Sequence, residues 1–136
     1  LVGSEMCIRD RLDPHMIDIG PFIPHSSTPL TSKPAGTMEE TLFLLACLRL
    51  AHPRALLPAT TALATIDPQG RMAGLEAGAN VIMPNLTPAS YRGDYALYNN
   101  KLATGLEAAE QHGKLEAALA AQGYSVKSSR GDSLVV

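Results

Sequence analysis

Three apolar runs of strand length, each followed by a helix-start signal, set the strongest limit on what this chain can fold into. The first is Met16 to Ile23 (MIDIGPFI), closed by Pro24; the second is Ala55 to Leu63 (ALLPATTAL); the third is Asn80 to Pro84 (NVIMP). None alternates polar with apolar residues as a half-solvated strand would, so each reads as buried on both faces. Thr37-Met38-Glu39-Glu40 is a capping box ahead of Leu42, Leu45, Cys47, Leu48 and Leu50, and that helix ends at His52-Pro53. Asp67-Pro68 and Thr87-Pro88 each join a capping side chain to a proline at the first helical position, predicting helices to Gly78 and to about Leu97. Buried strands alternating with helices make βα units on a parallel sheet. Three units are too few to close a barrel, which leaves a truncated barrel or half of an open doubly wound sheet. In either case ligands gather at the C-terminal ends of the strands.

Both ends of the chain read differently. Leu1 to Arg11 (LVGSEMCIRDR) has neither the apolar core nor the small-residue cleavage site of a signal peptide. It resembles a translated sequencing adapter, so residues 1–11 are expected to be an artefact and the rest a C-terminal fragment. Residues 12–100 then hold the three βα units. Residues 101–136 form an extension: a second capping box at Thr104-Gly105-Leu106-Glu107, an Ala-rich helix from Leu106 to Gln122, a stop at Gly123, and room for a short strand at Tyr124 to Lys127.

Composition narrows the function classes. A formal net charge of −2 over 136 residues lacks the basic balance of a nucleic-acid surface. The longest apolar run, Leu42 to Leu48, is far shorter than the roughly 20 residues that span a bilayer. Cys7 and Cys47 are too few for a disulfide framework or a four-thiolate metal site, which points to a reducing cytoplasm. His15, His25, His52 and His112 are too scattered for a zinc site. Gly36, Gly70, Gly74 and Gly78 lack the strand-to-helix placement of a dinucleotide fingerprint.

The strand ends supply the candidate site. His25 closes the first, as a base, a hydrogen-bond donor or a loop residue holding local backbone. Thr60 and Thr61 put two hydroxyls in the second; strand alternation turns one toward a ligand and one away. Both also suit a strand simply as β-branched residues. Met83 ends the third, as ligand contact or core. Residues alone thus locate a site without naming a reaction.

Three segments together carry a resemblance: IGPFIPH at Ile19–His25, LPATTA at Leu57–Ala62, and GANVIMPNLTP at Gly78–Pro88. From Leu12 to Gly131 the chain resembles the last third of the radical S-adenosylmethionine maturases of FeFe-hydrogenase. Methylornithine synthase and biotin synthase share that fold, and a stand-alone binding module is the alternative from another class. The resemblance implies an α/β architecture: strands six to eight of a radical S-adenosylmethionine (β/α)8 TIM barrel, followed by a C-terminal helical extension. It implies a parent enzyme with a 4Fe-4S cluster that cleaves S-adenosylmethionine to a radical. The substrate would be a small iron-containing complex, and the other hydrogenase maturation proteins would be partners. The cluster cysteines are not in this chain, so it is expected to be inactive alone. Carried over by position, Thr60, Thr61 and His25 would line the substrate side of the cavity. Met83 and Tyr95 would lie near S-adenosylmethionine. Some relatives hold an auxiliary cluster on three C-terminal cysteines; Ala103, Gln111 and Lys114 stand at those positions, and none ligates iron as a thiolate does.

Overall fold

The computed structural model describes residues 11–84, 87, 88, 90, 91, 98, 108–127 and 130–134, without the side chains of 108, 109 and 111. In chain order the elements are α1 (Met38–Ala51), β1 (Pro58–Ala59), α2 (Thr61–Ile66), α3 (Gly70–Glu76), β2 (Val81–Ile82) and α4 (Ala108–Ala121). Strands β1 and β2 pair in parallel, with Pro58 opposite Val81 and Ala59 opposite Ile82. A third parallel segment joins through one bridge, Met16 to Leu56. Ile17 N–H donates to the Leu56 carbonyl at 3.0 Å, and Leu56 N–H to that of His15 at 2.9 Å. The 55–59 segment is therefore central, and all three apolar runs meet side by side as their sequences predict.

The strands are shorter than the runs. The first pairs only at its start, because Gly20 and Pro21 follow and proline has no N–H to donate to a ladder. The second stops at Ala59 instead of continuing to Leu63. Thr60 turns its hydroxyl onto the Leu63 N–H at 3.4 Å, which starts a helix where a strand is predicted. Tyr124 to Lys127 forms no strand. Among the described residues the sheet is small and open, with helices beside it; no barrel closes.

Helix α1 begins as its sequence dictates. The Thr37 hydroxyl accepts the Glu40 N–H at 3.2 Å, and the Glu40 carboxylate accepts the Thr37 N–H at 3.3 Å. The helix buries Thr41, Leu45 and Leu48, while Leu50 is 82% exposed and Cys47 half-buried, so neither joins the core. Asp67 does not cap the next helix. It ends α2, and its carboxylate accepts the Gln69 N–H at 2.7 Å in a tight turn that delays α3 to Gly70. At the end of α3, Gly78 has φ +118°; its N–H reaches the Leu75 carbonyl and the Ala79 N–H that of Gly74, a Schellman closure. Gly123 ends α4 in the same way with φ +81°. Of the helix predicted from Pro88 to about Leu97, only Pro88, Ser90 and Tyr91 belong to the described residues.

The core gathers where the three segments meet the helices. Ile17, Leu45, Leu48, Ala55, Leu57, Ala59, Leu63 and Ala79 form one buried cluster, with Ile19, Met38, Leu42, Leu75 and Ile82 against it. Burying the Leu and Ile side chains among them is worth roughly 1.5–3 kcal/mol each before entropy is counted.

Candidate functional site

Parallel pairing fixes where the candidate residues stand. Because Ala59 lies opposite Ile82, the residue just past β1, Thr60, and the one just past β2, Met83, leave the sheet at the same C-terminal edge. The first segment reaches that edge too: a Cβ at Gly20 would stand 2.9 Å from the Thr60 hydroxyl oxygen. Gly20, Thr60 and Met83, from three separate runs, are thus brought together.

Thr60 and Thr61 differ in role. Thr60 is half-buried at the N-cap of α2, accepting a long hydrogen bond from Leu63. A hydroxyl that accepts can still donate, so its proton is available to a ligand. Thr61 is the first residue of α2, also half-buried, and its backbone carbonyl accepts the Thr65 hydroxyl at 2.9 Å. The helix turn carries both threonines off the edge of the sheet together, in place of the strict in-and-out alternation that a strand would impose.

His25 occupies a turn of its own. Its Nδ1 accepts the Ser27 N–H at 3.1 Å, and its carbonyl accepts the Thr28 N–H and hydroxyl at 3.1 and 3.0 Å. A neutral imidazole accepting at Nδ1 carries its proton on Nε2, so His25 presents an N–H donor. Met83 is 47% exposed and stands outside the core. Tyr95 lies outside the described residues.

Sequence reasoning missed the side chains that hold this edge from behind. Asn80 acts as an extra ladder rung: its Oδ1 accepts the Leu57 N–H at 2.8 Å and its Nδ2 donates to the Ala55 carbonyl at 3.4 Å. Arg49 donates from Nε to the Gly78 carbonyl at 2.8 Å. From Nη1 it donates to those of Pro53 and Ala55 at 2.8 and 2.9 Å. One guanidinium thereby ties the end of α1, the entry to β1 and the turn before β2. Burial lowers its pKa from the usual arginine range, without threatening its charge. Arg71, on α3, is also lowered by burial, against an opposing effect of Tyr98. The signal for Arg49 was present as a basic residue in the last turn of a helix. Its reach to four carbonyls, with that of His52 at 3.3 Å as the fourth, was not.

The described residues contain no group of three His, Cys, Asp or Glu side chains that would hold a metal ion. Cys47 is the free cysteine among them. They therefore do not supply the ligand set of an iron–sulfur cluster. Lys114, on α4, pairs with Glu110 at 3.0 Å, and Ala103 lies outside the described residues. No described helix is long and apolar enough to cross a membrane.

The described residues thus form helices beside a small parallel sheet, with hydroxyls, a thioether and a glycine at its C-terminal edge, the edge where α/β proteins generally bind ligands. Comparison with known proteins makes the relationship specific. The chain is 51% identical over 87 residues to the FeFe hydrogenase maturase subunit HydE of Thermotoga maritima, covering 64% of this chain and 25% of that protein. It is 34% identical over 90 residues to 3-methylornithine synthase of Methanosarcina barkeri, covering 66% of this chain and 25% of that protein. The enzyme of the same name from Methanosarcina acetivorans matches at 34% over the same length. The chain spans about a quarter of the length of these relatives. No protein-family model matches it. The resemblance to the FeFe-hydrogenase maturases is thus shown as sequence similarity to HydE over 64% of this chain.

Proposed function

We propose that this chain is part of a radical S-adenosylmethionine enzyme that matures the di-iron active site of FeFe-hydrogenase. The observation that carries this reading is the 51% identity to HydE, against 34% to the methylornithine synthases over a similar length. On this reading residues 12–100 are strands six to eight of the parent barrel with their helices, and residues 101–136 its C-terminal extension.

The share of the work done here is a wall. Thr60, Thr61 and His25 offer two hydroxyls and an N–H to an anionic or cyanide-bearing iron complex, while Met83 and Tyr95 flank S-adenosylmethionine. Hydrogen-bond donors set in an otherwise apolar edge orient a charged ligand and limit the water that would quench a radical. A 4Fe-4S cluster bound to the parent would supply the electron for cleaving S-adenosylmethionine. Its cysteines belong to the remainder of the parent, so the chain alone is inactive. The proposed setting is the cytoplasm, alongside the other maturation proteins.

The test is a segment replacement. This chain's residues are put in place of the matching quarter of the Thermotoga maritima HydE, and hydrogenase activation is measured in a reconstituted maturation mixture. Activation above that of the protein lacking the segment supports the reading. Activation lost in a folded, cluster-loaded chimera, but gained by a methylornithine synthase built the same way, would reassign the chain.

A further inference from the structure

The connection between the first apolar run and α1 is not slack. Gly36 N–H donates to the Phe22 carbonyl at 2.8 Å, so residues 23–35 leave the run and return to it, closing as an Ω-loop. Inside the loop the backbone turns on itself repeatedly. The His25 carbonyl accepts the Thr28 N–H at 3.1 Å, the Thr28 carbonyl the Thr31 N–H at 3.1 Å, and the Leu30 carbonyl the Lys33 N–H at 2.9 Å. Pro29 sits second in the turn from Thr28 to Thr31, where its fixed φ favours that geometry.

The clasp depends on Gly36 having no side chain. A Cβ there would stand 2.9 Å from the Phe22 nitrogen and 3.4 Å from the Pro21 Cα. Both are backbone atoms, and Pro21 is buried, so neither can swing away as the tip of a flexible side chain would. The far flank is fixed as well, because the next residue, Thr37, is the N-cap of α1 and is held by Glu40. Entry and exit of the loop are thus joined by one backbone hydrogen bond. His25 follows Phe22 closely in the chain, and its turn is ordered through that bond.

We propose that Gly36 is a positioning residue: by closing the 23–35 loop on Phe22 it fixes the turn that presents the His25 Nε2–H. What His25 then meets rests on the maturase reading; that Gly36 orders the His25 turn does not. A donor held in place before a ligand arrives spares the cost of ordering it on binding.

Amide hydrogen exchange on the 136-residue chain, read by NMR, is the first test. In the wild type the Gly36 amide should be protected, together with those of Ser27 and Thr28, which donate to His25. Gly36→Ala should speed exchange at Ser27 and Thr28 by up to about tenfold, the worth of one backbone hydrogen bond. Leu45 and Leu48, in the core, should keep their protection. Ala35→Ser also adds one heavy atom, but outside the clasp, and should leave Ser27 and Thr28 as they were. A wild-type Gly36 amide that exchanges as fast as one with no acceptor would overturn the proposal, and it decides alone if Gly36→Ala does not fold. Unchanged exchange at Thr28 in a folded Gly36→Ala would overturn it too.

The second test uses the segment-replaced HydE. Gly36→Ala should lower hydrogenase activation, and adding it to His25→Ala should cost nothing further. Additive losses would refute a role exerted through His25. A replaced HydE that is inactive with both residues intact contradicts the maturase reading instead, and exchange in the chain then decides for or against Gly36.

Discussion

Gly20 lies against Thr60 so closely that any side chain at Gly20 would stand 2.9 Å from the Thr60 hydroxyl oxygen. Two residues from separate apolar runs are therefore coupled at the edge where ligand binding is proposed. Gly20→Ala should force Thr60 aside and cost about 1–3 kcal/mol, the usual range for overpacking. Adding Thr60→Ala should recover part of that loss, although it removes a helix cap. Urea unfolding of the two single variants and the double variant measures the coupling; strictly additive losses would mean the contact is slack.

Asn80 holds β1 through a side-chain rung, so Asn80→Ala should leave the Leu57 N–H short of its partner. The expected loss is about 1–3 kcal/mol. Asn80→Asp keeps the acceptor for Leu57 and loses only the donor to Ala55, so it should cost less at neutral pH. Thermal unfolding of both variants gives the comparison, and equal losses would argue that the Leu57 bond is not the important one.

Gly78→Ala combines strain with collision. The backbone has φ +118°, and the added Cβ would lie 2.7 Å from the Cβ of Arg49. The clamp that Arg49 makes on the Gly78 carbonyl should be displaced with it, for a loss of more than about 1 kcal/mol. Hydrogen exchange should then rise at Leu57, at the entry to β1, and at Val81 on β2, which the clamp aligns. Unchanged protection there would contradict the role given to Arg49.

Much of this was legible in the sequence, for reasons that particular residues make plain. The capping box at Thr37 and Glu40 is local, needing only three residues' spacing, and it formed as written. The three apolar runs met in parallel because burial leaves them no other partner. Thr60 was misread as strand, since a β-branched Thr-Thr pair suits a strand as well as it suits a helix cap. Only the turn after Ala59 decides between them. Asn80 and Arg49 could not be assigned from spacing, because their partners lie 23–25 and up to 29 residues away. At the site, Thr60 and Met83 follow from parallel register, whereas Tyr95 lies outside the described residues.

Iron and sulfide reconstitution of the chain should give no stoichiometric 4Fe-4S cluster, as the described residues offer no three-ligand group. Mössbauer spectroscopy is the check. A full cluster would show that ligands assigned to the rest of the parent are present here.

The division of the wall is tested most directly at Thr61, because Thr60→Val would also remove the cap on α2. In the segment-replaced HydE, Thr61→Val keeps the shape of the side chain and deletes its hydroxyl. A hydrogen bond to a charged ligand is worth roughly 1.5–3 kcal/mol, so activation at limiting substrate should fall about tenfold to a hundredfold. Cleavage of S-adenosylmethionine by the same preparation should change little. Loss of cleavage and activation in equal proportion would contradict a substrate-side role for this edge.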